Sequence, residues 1–119
     1  MIGALPVEIV RLWTSQTDNN REIVLTGKQR QHYEMRPLEA VAWKALLTRA
    51  VLDPDEVHRN RDDAAIAIFY KRIDAEYSVR VAVLMQRLLS ARKHSLLSYR
   101  LAGKREIRKN RNRMVWKPA

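Results

Sequence analysis

His32 is the residue of this chain best suited to move a proton. It lies in Thr26 to Met35, where Thr26 followed three residues later by Gln29 forms a capping-box pattern and predicts the start of a short helix. Lys28 stands four residues before it and Arg36 four after, so on a helix all three project from one stripe. Positive neighbours disfavour the imidazolium, which keeps such a ring neutral and able to accept a proton near neutral pH, and the same cations attract phosphate. Arg80 interrupts an otherwise apolar strand, YSVRVAVLM, and stands there either on a solvated sheet face or as a positioned cation. In HSLLSYRLAG, strict alternation places Ser98 and Arg100 on one face with His94 and Leu96, and Tyr99 on the other with Leu97 and Leu101. Ser98 and Tyr99 then share a site only if a bulge intervenes. A base, cations and a hydroxyl donor are together sufficient for metal-free attack on a phosphodiester. That reaction needs a group to take the ribose hydroxyl proton, positive charge for the pentavalent phosphate, and a donor for the leaving oxygen.

Other chemistries find less support. The chain has no cysteine, which excludes thiol catalysis, thiolate metal sites and disulfides. His32, His58 and His94 are far apart and form no metal-ligand pattern with carboxylates, so no metal and no cofactor are expected. The 3 glycines do not make a phosphate-cradling loop, and a serine-hydrolase elbow is missing. Charge carries more information. The formal net charge is +10, from 23 Lys and Arg against 13 Asp and Glu. Most of it comes from the C-terminal stretch, where Arg100, Lys104, Arg105, Arg108, Lys109, Arg111, Arg113 and Lys117 face a single acid, Glu106. Such a run points to a polyanionic partner, RNA first with DNA still open, and Lys104, Arg105 and Arg108 are candidate substrate contacts. Membrane adsorption is disfavoured because no strongly apolar helical face accompanies these charges. His58, Arg59 and Arg61 lie among Asp62 and Asp63 and read as a structural loop clasp; Trp43 reads as core.

The elements that must position these residues follow from patterning. Composition is that of a globular protein, 46% hydrophobic and 30% charged, and 119 residues suffice for one core. Leu5 to Trp13 and Arg21 to Thr26, apolar and β-branched around a polar turn, predict a hairpin. Pro37 suits the first turn of a helix over Leu38 to Leu52, ended by Asp53-Pro54-Asp55. Its apolar arc is wide, with Leu38, Val41, Ala42, Ala45 and Arg49 on one side continued by Trp43, Leu46, Leu47 and Ala50. Glu56 to Asp63 reads as a charged loop. Ala64 to Ile73 and Tyr77 to Met85 predict an antiparallel hairpin closed by Asp74-Ala75-Glu76, with Tyr77, Val79, Val81, Val83 and Met85 on one face and Ser78 and Arg80 on the other. Gln86 to Lys93 is a connector, His94 to Leu101 a further strand, and the residues from Gly103 on either a solvated helix or a flexible arm. The expected fold is α+β: an N-terminal hairpin or strand and two helices packed on one face of an antiparallel sheet of about four to five strands. One domain is expected over residues 1–102, with a basic tail over 103–119. No apolar run of spanning length and no secretory pattern is seen, so a cytoplasmic address is expected.

The order of these pieces is itself informative. EIVLTGKQRQHYEMRP, then ALLTRAVLDPDEVHRN, then IAIFYKRID, YSVRVAVLM and HSLLSYRLAG together resemble the phage-associated members of the barnase/EndoU/colicin/RelE class of metal-independent ribonucleases, over roughly residues 21–103. The resemblance implies helices followed by a four-stranded antiparallel sheet, with an RNA-cleaving site on the sheet face beside the first helix. In that pattern the helix histidine matches His32, the strand cation Arg80, and the hydroxyl of the last strand Ser98 or Tyr99. The expectation is a small ribonuclease, a toxin or phage-linked effector, acting by transesterification. His32 would be its general base or acid, Arg80 and Lys28 would stabilise phosphate charge, Arg36 and Arg100 would clamp substrate, and Ser98 or Tyr99 would orient it. Two alternatives remain: a non-catalytic nucleic-acid-binding domain of the same fold, or a module whose basic tail docks an acidic partner such as an antitoxin or inhibitor protein.

Overall fold

A computed structural model describes residues 3–13, 22–25, 37–85 and 94–118, with side chains for 5–13, 43–85 and 96–118. In chain order the elements are β1 (Gly3–Ala4), α1 (Val7–Val10), β2 (Glu22–Leu25), α2 (Pro37–Leu52), β3 (Glu56–Arg59), β4 (Ile66–Arg72), β5 (Tyr77–Leu84), β6 (His94–Gly103), α3 (Lys104–Lys109), a 3-10 turn (Arg111–Arg113) and β7 (Met114–Trp116). The fold is α+β. Its strands form one sheet in the order β1-β2-β6-β5-β4-β3-β7. The run from β6 to β7 is antiparallel throughout, whereas β2 joins β6 in parallel.

Helix α2 forms where expected, from Pro37 to the residue before Asp53-Pro54. From Trp43 on, its buried stripe is narrower than the sequence arc. Trp43, Leu47, Ala50 and Val51 face the core at helical spacing, while Ala45 and Arg49 are exposed. The stripe packs on Val57, Ala67, Phe69, Val79, Val81, Val83 and Leu96. Leu5, Ile9, Val10 and Trp13 complete this cluster, but not as a long strand: only Gly3–Ala4 pairs with β2, and Pro6 starts the single turn α1. A four-residue turn lets Ile9 and Val10 both reach the core, which strict alternation along a strand would prevent. Arg59 secures this segment. Its guanidinium lies 4.7 Å from the centroid of the Trp13 ring, and it donates to the Leu12 carbonyl at 3.4 Å.

The opposite face is covered too. Strand β4 buries Ala67 and Phe69 toward α2, and Ile68 and Tyr70 toward a second cluster with Ala82, Ala102 and Ile107 of α3. Helices therefore sit on both faces, not on one. The basic segment after Gly103 is built into the fold: α3 inserts Ile107, and β7 pairs with β3 through Val57↔Trp116 and His58↔Met114. The charged stretch expected as a loop from Glu56 begins as strand β3, because Val57 fills the core opposite Phe69 and the Glu56 charge is met by Arg111. The remainder, Asn60 to Asp63, is a loop in which Asn60 Oδ1 accepts the backbone N–H of Asp62 and Asp63 at 2.8 and 3.0 Å.

One irregularity decides which residues of β6 share a face. Ala82 pairs with Ser98 but Val83 pairs with Leu96, so Leu97 is the extra residue of a bulge. The bulge inverts alternation: Leu96 and Tyr99 both face α2, whereas Leu97 packs in the second cluster on the side of Ser98 and Arg100. The sequence reading that put Leu96 with Ser98, and Leu97 with Tyr99, is corrected by this single residue. The expected helix over Thr26 to Met35 and the Gln86 to Lys93 connector lie outside the described residues.

Leu47 is fully buried between α2 and the sheet. Leu47→Ala is expected to destabilise the protein by about 3 kcal/mol in urea unfolding, through lost transfer energy plus a cavity. Ala45→Ser, on the exposed side of the same helix, should stay within about 0.5 kcal/mol of the parent.

Candidate nucleic-acid interface

Arg80 of β5 and Arg100 of β6 are register partners on the face away from α2. Like charges directly opposed across strands repel, and Arg80 keeps only 18% of its side-chain surface exposed, so the pair requires a counter-charge. Glu106 supplies it from the first turn of α3. Arg100 Nη2 donates to Glu106 Oε1 at 2.7 Å, and Arg80 Nε lies 3.9 Å from Oε2. Tyr70 donates its hydroxyl to Oε2 at 3.4 Å. Burial, then the nearby Glu106 charge, pushes the Tyr70 phenol above its ordinary value, so it stays protonated and able to donate. One carboxylate faces two guanidinium groups, and the cluster retains net positive charge.

These groups line a pocket of about 240 Å³ on the second face, with Arg61 and Arg113 at its rim and His58 at its floor. Arg113 is held by Asn110 Oδ1 at 2.9 Å, and the Asn110 side chain donates to the Glu106 carbonyl at 2.8 Å. His58 is 1% exposed and sits edge-on to Tyr70 with ring centroids 4.9 Å apart. Its Nε2 lies 3.0 Å from Glu56 Oε1, to which it donates, and its buried Nδ1 has no hydrogen-bond partner among the described residues. Glu56 also receives Arg111, Nε at 3.2 Å and Nη2 at 3.1 Å. Burial pushes the Glu56 carboxyl up, but the hydrogen bonds from Arg111 and His58 outweigh it and hold the group below its usual value of 4.5. Among the described residues, no three acidic or histidine side chains come together as metal ligands would.

The structure brings Arg80 and Arg100 together and places Ser98 on the same face, at the next pair along the two strands but one, opposite Ala82. It separates Tyr99 from them. Tyr99 is on the α2 face, its ring 4.8 Å from that of Trp43, so Tyr99 and Arg80 cannot act on one phosphate. Lys104, Arg105 and Arg108 are exposed on α3, where they border the grooves beside this pocket. His32, Lys28 and Arg36 lie outside the described residues. Sequence reasoning weighed Tyr70, with Lys71 and Arg72, as a solvated strand end or a phosphate contact and took His58 for part of a loop clasp; it missed Glu106 and the pairing of Glu56 with His58. Glu106 had one legible signal, as the sole acid in the basic C-terminal stretch; the pairing became visible only once β3 was known to be a strand with Glu56 and His58 on the same side. No family model, curated protein or solved structure is similar enough to this chain to count as a match.

The Glu56 interaction has a pH signature. A carboxyl with a depressed folded-state value stabilises fully above its unfolded value of 4.5, and that stability is lost as pH falls through the lower folded-state value. Glu56→Gln should therefore cost about 1 kcal/mol at neutral pH, with the gap to the parent closing in urea titrations below the ordinary carboxylate range.

Proposed function

We propose that the protein is a metal-independent ribonuclease whose substrate phosphate enters the pocket over Arg80 and Arg100. The observation that carries this reading is the cross-strand guanidinium pair on one sheet face, balanced by a single carboxylate and flanked by further cations. A phosphodiester brings the negative charge the cluster lacks. Planar guanidinium groups match its oxygens, and positive charge fixed before the reaction stabilises the pentavalent phosphate without reorganisation. In the proposed step a base takes the ribose 2′-hydroxyl proton and O2′ attacks phosphorus. The bond from phosphorus to O5′ then breaks, O5′ takes a proton, and a 2′,3′-cyclic phosphate and a 5′-hydroxyl end remain. His32 is the proposed base or acid, Lys28 would stabilise phosphate charge and Arg36 would clamp substrate, and Ser98 is the proposed hydroxyl, on the Arg80 face of β6. Such an enzyme acts on cytoplasmic RNA as a toxin or phage-linked effector, and an acidic inhibitor protein would fit the same positive face.

A second reading is supported by the exposed cations of α3, Lys104, Arg105, Arg108 and Lys109, which bind a polyanion without any catalytic group. In that case the protein binds RNA, or DNA, and cuts neither. No helix among the described residues is long and apolar enough to cross a membrane.

Incubation of total RNA with the purified protein in EDTA separates the two. The nuclease reading expects fragments ending in cyclic phosphate, a rate lower by about 100-fold or more in Arg80→Ala, and a comparable loss in His32→Ala. Intact RNA with the parent, together with salt-dependent retention of the same RNA, would leave only binding.

A further inference from the structure

We propose a second nucleotide subsite at the outer end of the sheet, where the ring of Tyr77 stacks on an unpaired base of single-stranded RNA and Lys104 and Arg108 hold an adjacent phosphate. The proposal rests on the reading that the ligand is RNA, and it names where the strand beyond the Arg80 pocket is held. A groove of about 640 Å³ lies between the β4–β5 hairpin, the C-terminal end of α2 and α3. Tyr77 opens β5 at its edge and is 50% exposed. Its register partner on β6 is Gly103, and among the described residues nothing other than its own chain neighbours lies within 4 Å of the place a Cβ would take there. The position beside the ring on the neighbouring strand is thus open space where any other residue would set a side chain. Tyr77, Lys104 and Arg108 border both this groove and a shallower one beside it, which also holds Arg105 and Glu76.

The charge arrangement separates this end of the molecule from an ordinary solvated surface. The acids of the larger groove each accept hydrogen bonds from the protein's own groups. Asp74 accepts the backbone N–H of Glu76 and Tyr77 at 2.8 Å each, Asp55 accepts the Arg72 N–H at 2.6 Å and Lys71 Nζ at 3.5 Å, and Glu56 accepts Arg111. Among the described residues, Lys104, Arg108 and Arg49 have no acidic side chain within ion-pair distance. Glu76, on the shallower side, stands against three cations. An isolated exposed tyrosine is ordinary. An exposed ring with an empty flank and unneutralised cations beside it is the arrangement that single-strand binding uses, since every base has a face to stack and a phosphate to hold.

Anisotropy titration of a labelled single-stranded oligonucleotide tests this. The probe is 2′-O-methyl oligouridine, which lacks the attacking hydroxyl and reports binding free of cleavage. Tyr77→Ala should weaken binding by about tenfold, as loss of one stacked base does, whereas Tyr77→Phe should bind like the parent. The thermal midpoint of Tyr77→Ala should match the parent, because the ring is outside the core. A strand carrying abasic sites should not distinguish Tyr77→Ala from the parent. Replacing Lys104 and Arg108 by Gln should lower the slope of log affinity against log salt by about 0.7, the value for one phosphate contact on a single strand. Parent-like binding by Tyr77→Ala, or an equal loss on the abasic strand, would overturn the subsite. The two readings fail separately: a protein that binds through Tyr77 yet cuts no RNA refutes the nuclease alone, and one that cuts RNA while Tyr77→Ala binds like the parent refutes the subsite alone.

Discussion

Tyr70, Arg80 and Arg100, each from a different strand, converge on the carboxylate of Glu106, which comes from the short helix that follows the last of them. Two guanidinium groups opposed across neighbouring strands, one of them mostly buried, would repel and lose hydration without a partner. Glu106 removes that penalty and at the same time fastens α3 to the sheet, where Ile107, the next residue, fills the second cluster. The same contact thus closes a hydrophobic core and fixes the orientation of two cations. Its stoichiometry matters as much as its geometry, since one carboxylate between two guanidinium groups leaves the pair short of negative charge.

This arrangement divides labour between the faces of the sheet. The α2 face holds the larger apolar cluster, aliphatic side chains around Phe69 and Trp13 with Trp43 and Tyr99 packed against them. The α3 face has a smaller apolar cluster and a border of charge, with the Arg80 pocket on one side of the helix; the groove on the other side reaches the end of the sheet at Tyr77, which alternation along β5 puts on the side of Val79. Helix α3 separates these two depressions and presents Lys104, Arg105 and Arg108 between them. A single strand of RNA running from the proposed scissile phosphate to the Tyr77 ring would follow these cations.

Where local pattern and tertiary burial agree, the sequence was readable. Helix α2 and the β4–β5 hairpin fall where Pro37, Pro54 and the Asp74 turn place them, and Arg80 marked a functional candidate because it broke an apolar run. Reading failed where a local signal was overridden. Glu56 to Arg59 is too charged to suggest a strand, yet pairing on both sides and a buried Val57 make it one. The single residue Leu97 inverts the faces of β6, and nothing in HSLLSYRLAG announces it. The C-terminal stretch reads as an appendage from its charge alone, because the few apolar residues that dock it, Ile107, Val115 and Trp116, are scattered among cations. The pocket was half legible: Arg80 and Arg100 were found, while Glu106, the tie of Tyr70 to it and the place of His58, which depend on register and on the return of α3 over the sheet, were not.

The central claim is that this face holds phosphate through Arg80 and Arg100. Side-chain Nε–Hε resonances of the arginines in a ¹⁵N-labelled sample, followed during titration with an RNA strand blocked at its 2′ positions, address it most directly. The Arg80 and Arg100 signals are expected to shift together and saturate with the ligand, while that of Arg11, which follows α1 and lines neither the Arg80 pocket nor the Tyr77 groove, stays in place. Saturable binding that leaves Arg80 and Arg100 unmoved would contradict it.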